Sequence, residues 1–306
     1  MKIAIVGAGA MGCLYGAKLS AVPANEVFLI DVWKEHIDMI CKNGLQMEEN
    51  GELLTYKNVT AACDAESVGT CDLAIVFVKS TLTEQAVKSN RAIFGPQTTA
   101  LTLQNGLGNI DIICNEIGAE NVIAGTTAHG ATMLGPGKMR HAGSGKTIIG
   151  ELDGIHSSRV KKLAEYLADA GLDTDISDNV LGLVWDKLLV NVGINALTGI
   201  TRLQNGELLK HPEIVALLEA AVKEGEAVAK AKGISLSFSD PVKHTKEVCA
   251  ATAQNKSSML QDVLNYKQTE IDMINGAIVR EGTELGIDAP VNMVLTNLIK
   301  YFQKKK

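Results

Sequence analysis

The stretch KIAIVGAGAMG, residues 2–12, decides the fold of this chain. Lys2 to Val6 is a short apolar run that passes directly into Gly7, Gly9 and Gly12, spaced G-x-G-x-x-G, and then into an amphipathic stretch to Ser20. That order predicts a strand, a glycine turn and a helix. Gly7 permits the tight turn, Gly9 lets the backbone approach a pyrophosphate, and Gly12 lets helix and strand pack closely. The N–H groups at the helix start would then face the phosphates. Glycine-rich turns are common, so the placement carries the inference. Asp31 follows about twenty residues on, at the end of a second apolar run, Glu26 to Ile30. Gly7, Ala8, Gly9, Ala10, Met11, Gly12 and Asp31 are therefore expected to bind a dinucleotide in a Rossmann-type domain.

Asp31 bears on which dinucleotide. Its carboxylate can accept hydrogen bonds from the ribose 2′- and 3′-hydroxyls of NAD. A 2′-phosphate would instead meet like charge, worth about 4 kcal/mol per unit charge at about 4 Å before solvent screening. Taken alone, Asp31 favours NAD(H). The competing reading leaves Asp31 facing water, with Lys34 or another cation receiving a 2′-phosphate.

Working outward, the first half alternates strand and helix signals. A helix is expected over Trp33 to Lys42, and Asn50-Gly51 marks a hairpin between Leu45 to Met47 and Leu53 to Tyr56. A buried strand LAIVFV (73–78), a helix near Leu82 to Phe94 and a strand at Ala100 to Leu103 come next. Asn121 to Gly125 leads into a Gly-rich, strand-like region ending near Ile149, and Ser157 is placed to cap a helix stopped by Gly171. Such alternation predicts a mostly parallel sheet. From about Asp178 only helical periodicity remains, with Pro212 and Gly233 bounding one helix and others at Asp240 to Ala253, Thr269 to Leu285 and Val291 to Phe302. The expected fold is α/β: an N-terminal Rossmann-type doubly wound sheet (1–175) and a C-terminal all-α domain (176–306).

Composition bounds the function. The 306 residues suggest two domains, and 46% hydrophobic residues suffice for real cores. A net charge of −6 gives no reason to expect nucleic acid or an anionic membrane as partner. Six cysteines without metal-ligand spacing predict reduced thiols in a cytoplasmic protein, with no metal site. A strand beginning at Lys2 leaves no room for a signal peptide, and no apolar run is expected to reach the ~20 residues of a membrane span. The basic tail Lys304 to Lys306 reads as a solvated end.

The segment VWDKLLVNVGINALT (184–198) carries the chemistry. Lys187, Asn191 and Asn195 lie at i, i+4 and i+8, and each step of four turns a helix by only about 40°, so they share one stripe. Their apolar neighbours predict burial, and buried polar groups are costly unless something polar meets them. That partner is either protein or a small polar ligand along the helix. A lysine ammonium there could stabilise charge developing on a carbonyl oxygen and give up its proton. Asparagines supply neutral donors and acceptors for a carboxylate and a hydroxyl. Glu270, expected on one helical face with Ile274, Ala277 and Ile278, would help keep Lys187 protonated. His129 reads as a satisfied structural histidine.

Eight stretches in order resemble the ketopantoate reductase family: KIAIVGAGAMG, VKS at Val78 to Ser80, LQNGLG, GTTAHGA, the Lys187 helix with NALT, NGEL, SSMLQD and TEIDMINGA. The resemblance implies a Rossmann domain joined to a helical domain, an active site in the cleft between them, and NADPH-dependent reduction of ketopantoate to pantoate on the way to pantothenate and coenzyme A. Carried across by position, Lys187 matches the proton donor, and Asn191, Asn195, Asn205 and Ser258 match substrate contacts. Asn105 matches a residue near nicotinamide and substrate, and Lys79, Ala131 and Glu270 match cofactor positions. Asp31 departs from the pattern, since many members carry arginine there to receive the 2′-phosphate. The resemblance thus implies NADP(H) whereas Asp31 favours NAD(H). Two rival readings remain: a D-2-hydroxyacid dehydrogenase of the same family acting on other branched or aromatic 2-oxo acids with NADH, and a non-catalytic NAD(P)H-sensing protein. The expected partner is a small 2-oxo acid, and a homodimer is left open.

Overall fold

Strand β1 (Lys2–Val6) gives way through the glycine turn to helix α1 (Ala10–Ser20). The computed structural model describes residues 1–304, so Lys305 and Lys306 of the basic tail lie outside the described residues. Next come β2 (Glu26–Ile30), α2 (Lys34–Asn43), β3 (Leu45–Glu49), β4 (Glu52–Tyr56), β5 (Val59–Ala62) and β6 (Leu73–Val76). They are followed by α3 (Thr83–Ser89), β7 (Thr99–Thr102), α4 (Asn109–Ile117), β8 (Val122–Thr127), β9 (Gly130–Gly135) and β10 (Lys138–Gly143). Strand β11 (Thr147–Glu151), α5 (Ser158–Asp169) and β12 (Thr174–Ile176) precede an all-helical remainder. That remainder holds α6 (Val180–Thr201), α7 (Pro212–Ala231), α8 (Pro241–Ala251), α9 (Ser258–Leu264), α10 (Asn275–Leu285) and α11 (Pro290–Lys304). The chain divides into two compact units, Met1–Gln104 with Asn109–Val180, and Asn105–Gly108 with the residues from Leu181 onward.

In the first unit the main sheet has strand order β12-β11-β8-β7-β6-β1-β2-β5. Its pairs are parallel except β11, which runs antiparallel to β8. Alternation along the strands sorts side chains onto two faces. Ile3, Ile5, Ile75 and Leu101 pack with Leu14 of α1 and Leu163 of α5, while Ala4, Val6, Val76 and Ala100 pack with Val87 and Ile113 of α3 and α4. With both faces covered, the strands read as unbroken apolar runs. Chain order reverses at β1, which lies between β2 and β6, and such a reversal opens a ligand crevice at the carboxyl ends of the strands. A second sheet, β4-β3-β10-β9, includes the expected hairpin, whose Asn50 and Gly51 both take positive φ (52° and 83°).

Caps fall where the sequence puts them. Ser157 accepts the Val160 N–H at 3.1 Å, Gly171 turns with φ +81°, and Pro212 opens α7, along which Glu226 and Lys230 pair at 2.6 Å. Other expectations need correction. The helix over Leu82 to Phe94 is a 3-10 turn, the short α3 and another 3-10 turn; the Asn90 side chain donates to the Ala86 carbonyl and ends α3. The helix over Thr269 to Leu285 starts only at Asn275, after a 3-10 turn Ile271–Met273. There the Leu107 N–H takes the Met273 carbonyl at 2.9 Å and Arg280 takes that of Asp272, drawing both from a helical ladder. Glu270 therefore precedes the turn and shares no helical face with Ile274. Strands β5 and β12 and helix α4, all short, were not expected from periodicity. A helix beginning with MLQD was open to sequence reading, with Ser258 as its cap, but the cap of α9 is Ser257. Helix α6 is long and apolar enough to cross a membrane, contrary to the expectation, but 72% of its most apolar stretch is buried in the fold.

Candidate active site

The glycine turn is built by contact as much as by conformation. Gly7 has φ +100°, and a Cβ there would lie 2.5 Å from the Val78 nitrogen; a Cβ on Gly12 would lie 1.9 Å from the Gly7 oxygen. Neither position tolerates a side chain. Gly9 differs, since a Cβ would meet nothing within 4 Å, so its backbone faces open space. Gly9 also N-caps α1 with no side-chain bond, and the first turn carries no acidic residue. An anion would find uncapped amides and the positive end of a helix there, which fits a pyrophosphate.

Beside the turn lies a cavity of about 380 Å³ lined by Gly7, Gly9, Asp31, Cys63, Asp64 and Lys79 among others. Asp31 accepts the Ala8 N–H at 2.8 Å through Oδ2 and the Trp33 N–H at 2.9 Å through Oδ1. Each oxygen keeps a second lone pair for a ribose hydroxyl. Lys34 does not line the cavity; it is exposed and paired with Asp38 at 3.0 Å. The loop bearing Lys79 is fastened by Gln104, whose Nε2 donates to the Val78 carbonyl (2.7 Å) and to Thr83 Oγ1 (2.9 Å). Sequence reasoning missed Gln104, although a polar residue ending an apolar strand was the available signal. Ala131 sits half-buried on β9 against the sheet core.

His129 is less satisfied than expected. Its Nδ1 lies 3.2 Å from His141 Nε2 and accepts the Gly145 N–H at 3.3 Å, but Nε2 is buried without a partner. Burial, His141 and Lys18 push its pKa down.

The second unit holds the polar stripe. Helix α6 carries Lys187, Asn191 and Asn195 as the spacing requires, within a core that includes Leu188, Leu189, Val192 and Ile194. Burial pushes the Lys187 amine down to about 8, against the opposing pull of the Glu270 carboxylate. Asn195 is 4% exposed and its Nδ2 has no partner; Asn205 is 7% exposed and its Oδ1 has none. Buried amide atoms left unsatisfied in this way cost about 1–3 kcal/mol each, which a polar ligand would relieve. Asn205 itself is well anchored. Gln204 and Glu207 form a capping box around it, its N–H donates to the Asn255 carbonyl, and its Nδ2 donates to Thr252 Oγ1 at 2.9 Å.

Asn105 belongs to this unit too, because its loop bonds to the turn at Met273. Ser258 is exposed at the start of α9, and the capping serine is its neighbour Ser257, which accepts the Leu260 N–H at 3.0 Å. The first unit thus groups Gly7 to Gly12, Asp31, Lys79 and Ala131, and the second groups Asn105, Lys187, Asn191, Asn195, Asn205, Ser258 and Glu270.

Known proteins share this plan. The family model described as ketopantoate reductase PanE/ApbA matches residues 3–154, and its C-terminal counterpart matches residues 179–303. A 2-dehydropantoate 2-reductase of Halobacterium salinarum is 36% identical over 305 residues, covering 99% of each chain. A solved PanE/ApbA family ketopantoate reductase from Ralstonia eutropha JMP134 gives a TM-score of 0.92 at 35% identity, over 100% of this chain and 99% of that one. D-mandelate dehydrogenase with NADH and anilino(oxo)acetate gives a TM-score of 0.93 at 34% identity, over 99% and 98%. Matched by both models and by full-length relatives, the chain belongs to the ketopantoate reductase family of oxidoreductases.

Proposed function

We propose that this chain reduces ketopantoate to pantoate with a nicotinamide dinucleotide held by Gly7 to Gly12, Asp31, Lys79 and Ala131. The nicotinamide, when bound, supplies the hydride that reaches C2 of the substrate. Lys187 stabilises the negative charge that develops on the C2 oxygen and transfers its Nζ proton there, leaving a hydroxyl; solvent then reprotonates the amine. Asn191, Asn195, Asn205 and Ser258 bind the carboxylate and hydroxyl of the substrate, and Glu270 favours the charged form of Lys187. The observation that carries this reading is the set of two buried amide atoms without partners, on Asn195 and Asn205, in the unit that holds an amine depressed to about 8.

NADH is the proposed donor. Asp31 and Asp64 both line the cavity expected to take the adenosine end, and a 2′-phosphate there would meet like charge. That same feature, with the NADH-bound D-mandelate dehydrogenase among the structural relatives, supports a second reading as a D-2-hydroxyacid dehydrogenase. Comparing kcat/KM for ketopantoate, 2-ketoisocaproate and phenylglyoxylate, each with NADH and NADPH, separates the two. A higher kcat/KM for either rival acid than for ketopantoate would overturn the first reading. Ketopantoate-dependent oxidation of the cofactor would also exclude a non-catalytic sensor.

A cytoplasmic setting is supported by six cysteines that are all free thiols. A homodimer is supported by Met293, Val294, Leu298 and Tyr301, which α11 leaves exposed.

A further inference from the structure

His36, on α2, is fully buried at 0% exposure and makes contacts that lead back to the glycine turn. Its Nδ1 accepts the N–H of Gly137 at 2.9 Å, 101 residues away in sequence. A backbone N–H can only donate, so Nδ1 keeps its lone pair and the neutral ring carries its proton on Nε2. Nε2 faces Cys13 Sγ at 3.4 Å, and that thiol donates to the Ala8 carbonyl at 3.2 Å. The Ala8 N–H donates to Asp31, Asp31 also accepts the Trp33 N–H, and the Trp33 ring stacks on His36 with centroids 4.9 Å apart at 14°. His36, Cys13, Ala8, Asp31 and Trp33 thus close a ring of contacts around one residue of the turn.

We propose that His36 is a positioning residue for the dinucleotide site, and that its neutral form holds Ala8 and Asp31 in the binding geometry. The proposal rests on the reading of the glycine turn as that site. A second proton, on Nδ1, would set N–H against the N–H of Gly137 and break the link to the turn between β9 and β10. Among the described residues, the titratable groups facing the ring are Cys13 on α1 and Asp31 after β2. Burial lowers the His36 pKa and Asp31 opposes the fall. Proton uptake by His36 and dinucleotide binding therefore oppose each other. Affinity is full where the ring is neutral and falls as pH drops through its depressed pKa.

The test is the NADH dissociation constant of the full chain, by fluorescence titration, from about pH 7.5 down to about pH 5. One linked proton raises Kd by at most about tenfold per pH unit, with kcat at saturating NADH carrying none of that change. His36→Asn keeps an acceptor for Gly137 but cannot titrate, so its ratio of acid to neutral Kd should shrink towards one. His36→Ala should weaken binding at neutral pH, and the Asn variant should recover part of that loss. If the variants do not fold, imidazole NMR on the wild-type chain serves instead: saturating NADH should lower the His36 pKa by reciprocity. An unaltered ratio in His36→Asn, or an unmoved His36 titration, would overturn the proposal. No NADH binding at any pH would instead overturn the cofactor reading beneath it.

Discussion

Lys187 shows how one residue can be read from sequence and still gain meaning from structure. Its spacing from Asn191 and Asn195 in an apolar segment is visible without coordinates. The depressed amine is not, because it depends on burial and on Glu270, which lies 83 positions away in the chain. With the amine near 8 and its protonated form the proposed donor, kcat for 2-oxo acid reduction should fall as pH rises through about 8. A kcat that stays flat up to about pH 10 would remove Lys187 as the donor. Asp31 was legible from its distance to the glycines, but its bonds to Ala8 and Trp33 were not. Asp31→Arg should shift the NADPH/NADH ratio of kcat/KM towards NADPH by about tenfold or more, as replacing repulsion with attraction requires. His36 escaped sequence reading altogether, since its main partner, Gly137, lies 101 residues away in the turn between β9 and β10.

At the level of elements, periodicity served where an element packs one face along many residues. It failed where short pieces are held by outside bonds. The turn at 271–273 interrupts an apolar helical pattern because Leu107 and Arg280 claim its carbonyls. Capping at α9 gives a separable test. Ser257 accepts the Leu260 N–H and also bonds Thr198 Oγ1 at 2.7 Å, so Ser257→Ala should lower unfolding stability by about 1–2 kcal/mol in urea titration. Exposed Ser258 caps nothing, so Ser258→Ala should change stability by less than about 0.5 kcal/mol and raise KM for the 2-oxo acid. The glycine turn admits no such mildness. Gly12→Ala would set its Cβ 1.9 Å from the Gly7 oxygen, so α1 must shift. We expect both a lower melting temperature and a loss of NADH binding by titration.

Across the whole molecule, the division into a sheet unit and a helical unit was legible because apolar strand runs alternate with helical patterns up to the end of the sheet and only helical periodicity follows. The assignment of Asn105–Gly108 to the helical unit was not, since that loop follows β7 closely in sequence and bonds to the distant turn at Met273. The groups proposed to hold the dinucleotide and the groups proposed to meet the 2-oxo acid fall mostly in different units. Removing the proposed proton donor, Lys187, should therefore spare cofactor binding. The decisive measurement is kcat for ketopantoate reduction by Lys187→Ala, with the NADH dissociation constant determined on the same preparation. We expect kcat to fall by at least about 10²-fold while Kd stays within about twofold of wild type. Near-normal turnover in that variant would contradict the account.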